Sequence, residues 1–65
     1  MFSHDLHYHL GISFANLEKY DMSIPPLCEA IRLVPKSAHY IHERAKSYLL
    51  VGEFEKAVED FTKVA

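Results

Sequence analysis

The sequence has little of what crosslinks or anchors a small protein. It has one cysteine, Cys28, so no disulfide can join the chain to itself. No apolar run approaches the ~18–20 residues that cross a membrane, and no basic-then-apolar leader stands at the N-terminus. These absences predict an intracellular, cytoplasmic protein.

Net charge is also small, with seven Lys and Arg against nine Asp and Glu and a formal charge of −2. A weakly acidic chain gains nothing from the phosphate backbone of nucleic acid, so nucleic acid is not an expected partner. The apolar content of 49% is too high for a disordered tail. The 65 residues allow one domain. A chain of this size buries only ~60% of its unfolded surface, so its stability is expected to be small.

Glycine and proline are sparse, with two and three residues respectively. Between them the apolar residues recur at helical spacing, and the first such stripe is Leu6, Leu10, Phe14 and Leu17. No stretch shows sustained period-two alternation, so strands are not expected. The pattern predicts an all-α chain with helices near 4–17, 22–34, 38–51 and 54–64.

The chain matches itself in residue character when it is shifted so that Ser3 falls on Ser37, and this shift is called here the repeat period. Each of these serines stands before a helical stripe whose first N–H groups it can cap. Size and polarity recur rather than identity, as in Gly11 with Ala45, Phe14 with Tyr48, Ile24 with Val58, and Leu27 with Phe61. A helical hairpin that recurs at a fixed period and cannot bury its own face indicates a solenoid.

With this period the sequence resembles a tetratricopeptide repeat protein, a family whose repeats are ~34 residues long. The family signature has a large residue, Leu-Gly, an aromatic, a later Ala, a second aromatic and a closing Pro. The first repeat carries His7, Leu10, Gly11, Phe14, Ser23, Leu27 and Pro35 at these positions, and the second carries Ile41, Arg44, Ala45, Tyr48, Ala57 and Phe61. The segment 52–61, GEFEKAVEDF, is the most specific part and closely resembles the start of the family's second helix.

The resemblance implies two helix-turn-helix hairpins, four antiparallel helices in all, stacked as a short right-handed α-solenoid. The repeats would cover residues 4–37 and 38–65, with 1–3 as an N-terminal extension and the second repeat truncated. The Pro25-Pro26 pair departs from the family pattern, because a proline inside a helix removes a hydrogen bond and clashes with the preceding turn. We therefore expect the second helix to begin late, near residues 22–24, where Ser23 could cap it, or to be kinked.

In proteins of this family the first helices of successive repeats line a concave groove that holds a peptide or a partner helix. The groove positions of this chain would be Asp5, Tyr8, Ile12, Ala15, His39, His42, Lys46 and Leu49. The leading interpretation is thus a non-catalytic protein-interaction module, part of a scaffold, in which a double substitution of Tyr8 and Ile12 by Ala weakens binding without unfolding the chain. The alternative for these residues is that they merely contact the neighbouring helix.

A second interpretation of the whole chain is structural. The repeats would pack or self-associate with a second copy through the exposed faces of the first and fourth helices. Val58 and Phe61 are the candidate contacts, because the repeat pattern supplies no later helix to cover them. A substitution such as Phe61→Asp would then abolish assembly.

One subclass of the family is not expected. Members that grip the acidic C-termini of heat-shock chaperones carry Lys and Asn at positions that here hold Tyr8, Ile12 and Glu43. Neither the cation nor the amides are present, and Glu43 would repel a terminal carboxylate. The expected partner is another protein or a second copy, and not a chaperone C-terminus.

The residue pattern of an enzyme is missing, and no cofactor or metal is expected. Cys28 lies among apolar residues and is interpreted as a buried, inert thiol. The acidic residues of the last helix, Asp60 included, alternate with lysines and indicate a solvated face. The five histidines include two pairs at helical spacing, but these lack the further ligands that a zinc site needs. His7 is expected to pack in the core, and His39 could pair with Glu43 or titrate at a pH-sensitive surface.

Overall fold

A computed structural model describes the backbone of residues 3–64 and the side chains of residues 6–64. This part of the chain forms four α-helices, namely α1 Ser3–Asn16, α2 Tyr20–Leu33, α3 Ala38–Val51 and α4 Phe54–Val64. The described residues contain no strand, so the predicted all-α fold is confirmed for them. No helix among them is long and apolar enough to cross a membrane.

The helices pack as two antiparallel hairpins. α1 packs along α2, α3 packs along α4, and the hairpins are joined by the contact of α2 with α3. α1 also touches α3, whereas no Cα of α4 comes within 8 Å of α1 or α2 in the described chain. The first hairpin therefore contacts the second through α3, which lies between α2 and α4.

Small residues allow the helices to approach closely in the core. A Cβ added to Gly11 of α1 would lie 2.7 Å from Leu27 Cγ of α2, closer than side chains can pack. Leu27, Ala30 and Ala45 have no exposed surface. The absent side chain of Gly11 thus makes room for Leu27, which fills the space between α1 and α2.

The turn between α1 and α2 recurs between α3 and α4, one repeat period later. The first turn has the bonds Glu18 N to Ala15 O and Lys19 N to Phe14 O, both 2.9 Å, and the second has Gly52 N to Leu49 O at 3.2 Å and Glu53 N to Tyr48 O at 2.8 Å. Glu18 (φ 61°) and Gly52 (φ 91°) both have left-handed backbone. Each turn is therefore a Schellman cap, which satisfies the last carbonyls of its helix.

Introducing glycine at the first cap and removing it from the second should change stability in opposite directions. A Cβ in the left-handed region costs about 1 kcal/mol, which glycine avoids. Glu18→Gly should raise the free energy of unfolding by about 0.5–1 kcal/mol, and Gly52→Ala should lower it by about 1 kcal/mol. Apart from Gly52 and its two chain neighbours, no residue has an atom within 4 Å of a Cβ at Gly52, so that loss comes from the backbone alone. Urea unfolding followed by circular dichroism measures both, and a loss of stability in Glu18→Gly would contradict the assignment.

α2 begins at Tyr20, so the predicted late start near residues 22–24 is wrong. The preceding turn positions Lys19, whose carbonyl accepts from Met22 N and Ser23 N, each at 3.1 Å. These bonds close the first turn of the helix ahead of the prolines. Ser23 is not the cap either, because its buried hydroxyl donates to the carbonyl of Tyr20 at 2.7 Å.

Pro25 and Pro26 lie inside α2. Their rings remove the N–H groups that would bond the carbonyls of Asp21 and Met22, four residues earlier. Both of these residues are exposed, so water can replace the missing donors. Burial of Leu27, which directly follows the prolines and has no exposed surface, favours the helix despite them.

The cap of α3 is confirmed. Ser37 Oγ accepts a hydrogen bond from Tyr40 N at 3.3 Å, and the backbone of Ser37 is extended, as at a helix N-terminus.

The backbone of α1 already includes Ser3, whose predicted capping side chain lies outside the described ones. Most of the predicted extension 1–3 and the final residue Ala65 also lie outside the description.

Candidate binding groove

α1 and α3 lie side by side and enclose a groove of about 320 Å³, called here the α1–α3 groove. Its lining residues are Tyr8, Ile12, Ala15, Asn16, Tyr20, Glu43, Lys46, Ser47 and Leu50. Four of them are predicted groove residues, namely Tyr8, Ile12, Ala15 and Lys46. The groove thus lies between the first helices of the two hairpins, where the family resemblance implies a concave surface.

Tyr8 connects α1 to α3 at this groove. Its ring stacks on Tyr40, with the centroids 4.7 Å apart and the planes at 22°. Its hydroxyl hydrogen-bonds His39 Nε2, so His39 meets Tyr8 rather than Glu43. Burial, with the nearby charge of Glu43, raises the pKa of the Tyr8 hydroxyl above its usual range. Tyr8 therefore stays neutral at physiological pH and contributes both a groove wall and a contact between the helices.

A cation and an anion stand on the α3 wall of the groove. Lys46 Nζ lies 3.7 Å from Glu43 Oε1, and the lysine side chain is 54% exposed. An exposed pair of this kind contributes only ~0–1 kcal/mol to stability, so Lys46 can turn toward the carboxylate of a ligand at little cost. Ile12 and Leu50 supply apolar surface beside the pair. The groove can therefore accommodate a segment with both apolar and charged side chains.

The stripe of α3 that faces the groove differs from the predicted one by a residue. Glu43, Lys46, Ser47 and Leu50 line the groove, whereas the predicted His42 and Leu49 do not. His42 instead packs edge-on against Phe61 of α4, with ring centroids 5.5 Å apart, and Leu49 is exposed. One residue rotates a helix face by about 100°, which accounts for the difference. The side chain of Asp5, another predicted groove residue, lies outside the described ones.

Five groove residues were missed by sequence reasoning, namely Asn16, Tyr20, Glu43, Ser47 and Leu50. Asn16 follows Ile12 by four residues and Leu50 follows Lys46 by four, so helical spacing could have found both. Tyr20 is the first residue of α2, and the early start of this helix brings it to the groove. It could not be found from a sequence pattern in which the prolines predict a later start.

An ion pair that sequence reasoning missed joins α3 to α4. Arg44 Nε and Nη2 donate to the two carboxylate oxygens of Asp60 at 2.7 and 2.8 Å, and the Asp60 side chain is only 3% exposed. The hydrogen bonds to Asp60 raise the pKa of Arg44, although burial opposes this shift. The prediction that the acidic residues of α4 are solvated is therefore wrong for Asp60. This residue follows the buried Ala57 by three positions and lies on the same face of the helix. A second cation, Lys63, has its Nζ 3.7 Å from Asp60 Oδ1.

Cys28 is half-buried in the contact between α2 and α3, rather than fully buried as expected. Its Sγ lies 3.5 Å from Arg44 Nη1 and 4.0 Å from the hydroxyl of Tyr48. His7, expected in the core, is also half-buried. Among the described side chains, no group of three His, Cys, Asp or Glu residues could hold a metal ion.

The two self-association candidates differ in exposure. Val58 is 63% exposed, whereas Phe61 is half-buried and partly covered by His42. Val58 is therefore the better placed of the two for contact with another molecule.

No protein family, curated protein or solved structure matches this chain on comparison. Its function is therefore inferred from the α1–α3 groove and from the turn that recurs after one repeat period.

Proposed function

We propose that this chain is a non-catalytic protein-interaction module of two tetratricopeptide-type repeats, stacked in a right-handed sense, that binds a peptide or a partner helix in the α1–α3 groove. The observation that carries the proposal is the groove itself, which Tyr8, Ile12, Ala15 and Lys46 line. These are positions at which the resemblance implies ligand contacts. The intracellular location stays a prediction from the sequence.

The recurring turn supports the repeat part of this proposal. Glu18 and Gly52, one repeat period apart, both have left-handed backbone and close the same pattern of hydrogen bonds. The helices that follow also begin alike, since Ser23 N donates to Lys19 O at 3.1 Å and Ala57 N donates to Glu53 O at 3.0 Å. A shared turn at the period of the sequence match favours two copies of one structural unit.

The chemistry of the groove defines the ligand that fits it. Ile12 and Leu50 favour an aliphatic side chain, and the exposed ammonium of Lys46 favours an acidic side chain beside it. The amide of Asn16 can bond the backbone of an extended segment, since it carries both a donor and an acceptor. We therefore expect a peptide in which an apolar residue neighbours an acidic one.

Selection from a random peptide library on the wild-type protein, followed by calorimetric titration, tests this expectation. Ile12→Ala should weaken the selected peptide about tenfold, because the lost apolar contact is worth about 1.4 kcal/mol. Lys46→Glu should weaken an acidic peptide further. Lys36→Glu is the matched control, since it makes the same charge change at an exposed position outside the groove.

Tyr8 is a less suitable test residue than the sequence suggested. Tyr8→Ala would remove the stacking on Tyr40 that links α1 to α3, and so would change stability as well as binding. Amide chemical shifts give an independent readout, since a peptide in the groove should shift Ile12, Ala15 and Lys46. If the selected peptides bind Ile12→Ala as tightly as wild type, or shift only residues outside the groove, the proposed function is wrong.

A further inference from the structure

The outer face of α4 carries apolar side chains that are exposed, whereas the corresponding side chains of α2 are half-buried. Phe54 and Val58 are 62% and 63% exposed. Their counterparts one repeat period earlier, Tyr20 and Ile24, are half-buried, because α2 packs against α3. α4 thus presents the surface that α2 uses to bind α3, without a helix on it in the described chain.

The outer face of α1 has the complementary property. Leu6 and Leu10 are 56% and 46% exposed, and Ser13 is also exposed. Their counterparts on α3 are buried, since Tyr40 is 8% exposed, the Arg44 side chain 16% and Ser47 2%. α1 therefore presents to solvent the side that α3 buries in the protein.

These two faces belong to the same molecule, and the contact of α2 with α3 shows how they can fit together. From it we infer that a second copy of this chain docks head-to-tail, with its α1 on the α4 face of the first copy. The internal contact places Ser47 Oγ 2.7 Å from Ser23 Oγ. Shifted by one repeat period, the same register places Ser13 of one copy opposite Ala57 of the other.

Two positions of this contact differ in polarity from the internal contact of α2 with α3. The position of Arg44 is taken by Leu10, so the copies meet without a buried charge. The position of Cys28 is taken by Thr62, whose hydroxyl already donates to the carbonyl of Val58 at 2.7 Å. Burial of this mainly apolar surface is favourable, because apolar side chains leave water when the copies meet.

A head-to-tail contact does not close on itself. Each added copy presents a fresh α4 face, so the assembly grows with concentration instead of stopping at a dimer. Sedimentation of the wild-type chain over a wide concentration range should therefore show an average mass that rises continuously.

Two variants separate the faces. Leu10→Glu blocks the α1 face and Val58→Glu blocks the α4 face, and both positions are exposed, so folding should be retained. Each variant alone should associate at least about tenfold more weakly than wild type, because a carboxylate would be buried without a partner. A mixture of equal amounts should form a dimer, since the intact α1 of one variant meets the intact α4 of the other. Leu6→Glu and Phe54→Glu form a second pair of the same design, and circular dichroism checks that all four variants are folded.

The mixing experiment distinguishes this inference from other arrangements. If either variant alone forms the dimer that the mixture forms, the contact joins like faces and the head-to-tail arrangement is wrong. A monomeric wild type at all concentrations, or a monomeric mixture of folded variants, overturns the inference. Neither result affects peptide binding in the α1–α3 groove, because Leu10 and Val58 do not line it.

Discussion

Arg44→Ala should lower the free energy of unfolding by about 3–5 kcal/mol, because it leaves the carboxylate of Asp60 buried without its bidentate partner. The remaining cation, Lys63, lies 3.7 Å from Asp60 Oδ1 with an exposed side chain, and it compensates only in part. The total stability of a chain of 65 residues is about 3–10 kcal/mol. Urea unfolding should therefore show a transition midpoint that is at least about a third lower than that of the wild type.

Two control variants test the cause of this loss. Lys63→Ala removes the exposed cation alone and should cost less than about 0.5 kcal/mol. The double variant Arg44→Met with Asp60→Leu removes both charges and keeps the volume, so it should recover most of the stability. If the double variant is as unstable as Arg44→Ala, packing of the arginine stem governs the effect and the buried charge does not.

Leu27→Ala should lower the free energy of unfolding by about 2–5 kcal/mol, because the side chain is fully buried and its loss leaves a cavity between α1 and α2. Gly11→Ala in the wild-type background should be destabilising, since the new Cβ would lie 2.7 Å from Leu27 Cγ and overpacking costs about 1–3 kcal/mol. The better helix propensity of alanine, about 1 kcal/mol, offsets only part of this overpacking cost.

The two substitutions should be coupled. In the Leu27→Ala background the Cβ at Gly11 meets a cavity, so Gly11→Ala should become neutral or stabilising there. A double-mutant cycle by urea unfolding measures this change of sign. Ser13→Ala, at an exposed position of the same helix, is the control and should change stability by less than about 0.5 kcal/mol in either background. Additive effects of Gly11→Ala and Leu27→Ala would contradict the close packing of these two residues.

Much of the fold was predictable because it depends on local patterns. The spacing of apolar residues predicted four helices and no strands, and the bounds of α3, Ala38–Val51, coincide with the prediction. Ser37 was recognisable as a cap because capping involves neighbours in sequence. The start of α2 was not predictable from the prolines, since the preceding turn, through Lys19, begins the helix before them.

The candidate groove was predictable in part, for a related reason. On α1 the resemblance implied Tyr8, Ile12 and Ala15, and all three line the groove. On α3 the predicted stripe was displaced by one residue, so His42 faces Phe61 instead. The rotation of a helix about its axis depends on what packs against its other sides, and these partners are distant in sequence.

The sequence by itself determined the helices, the repeat period and the small residue at Gly11, because each of these follows from the order and size of residues along the chain. Only the tertiary structure decided that Asp60 is buried by Arg44, 16 residues away, and that Ser23 meets Ser47 across two helices. A charged or hydroxyl side chain has no fixed preference for the interior. Its burial depends on whether the fold brings a partner within hydrogen-bond distance, and a local pattern does not contain that information.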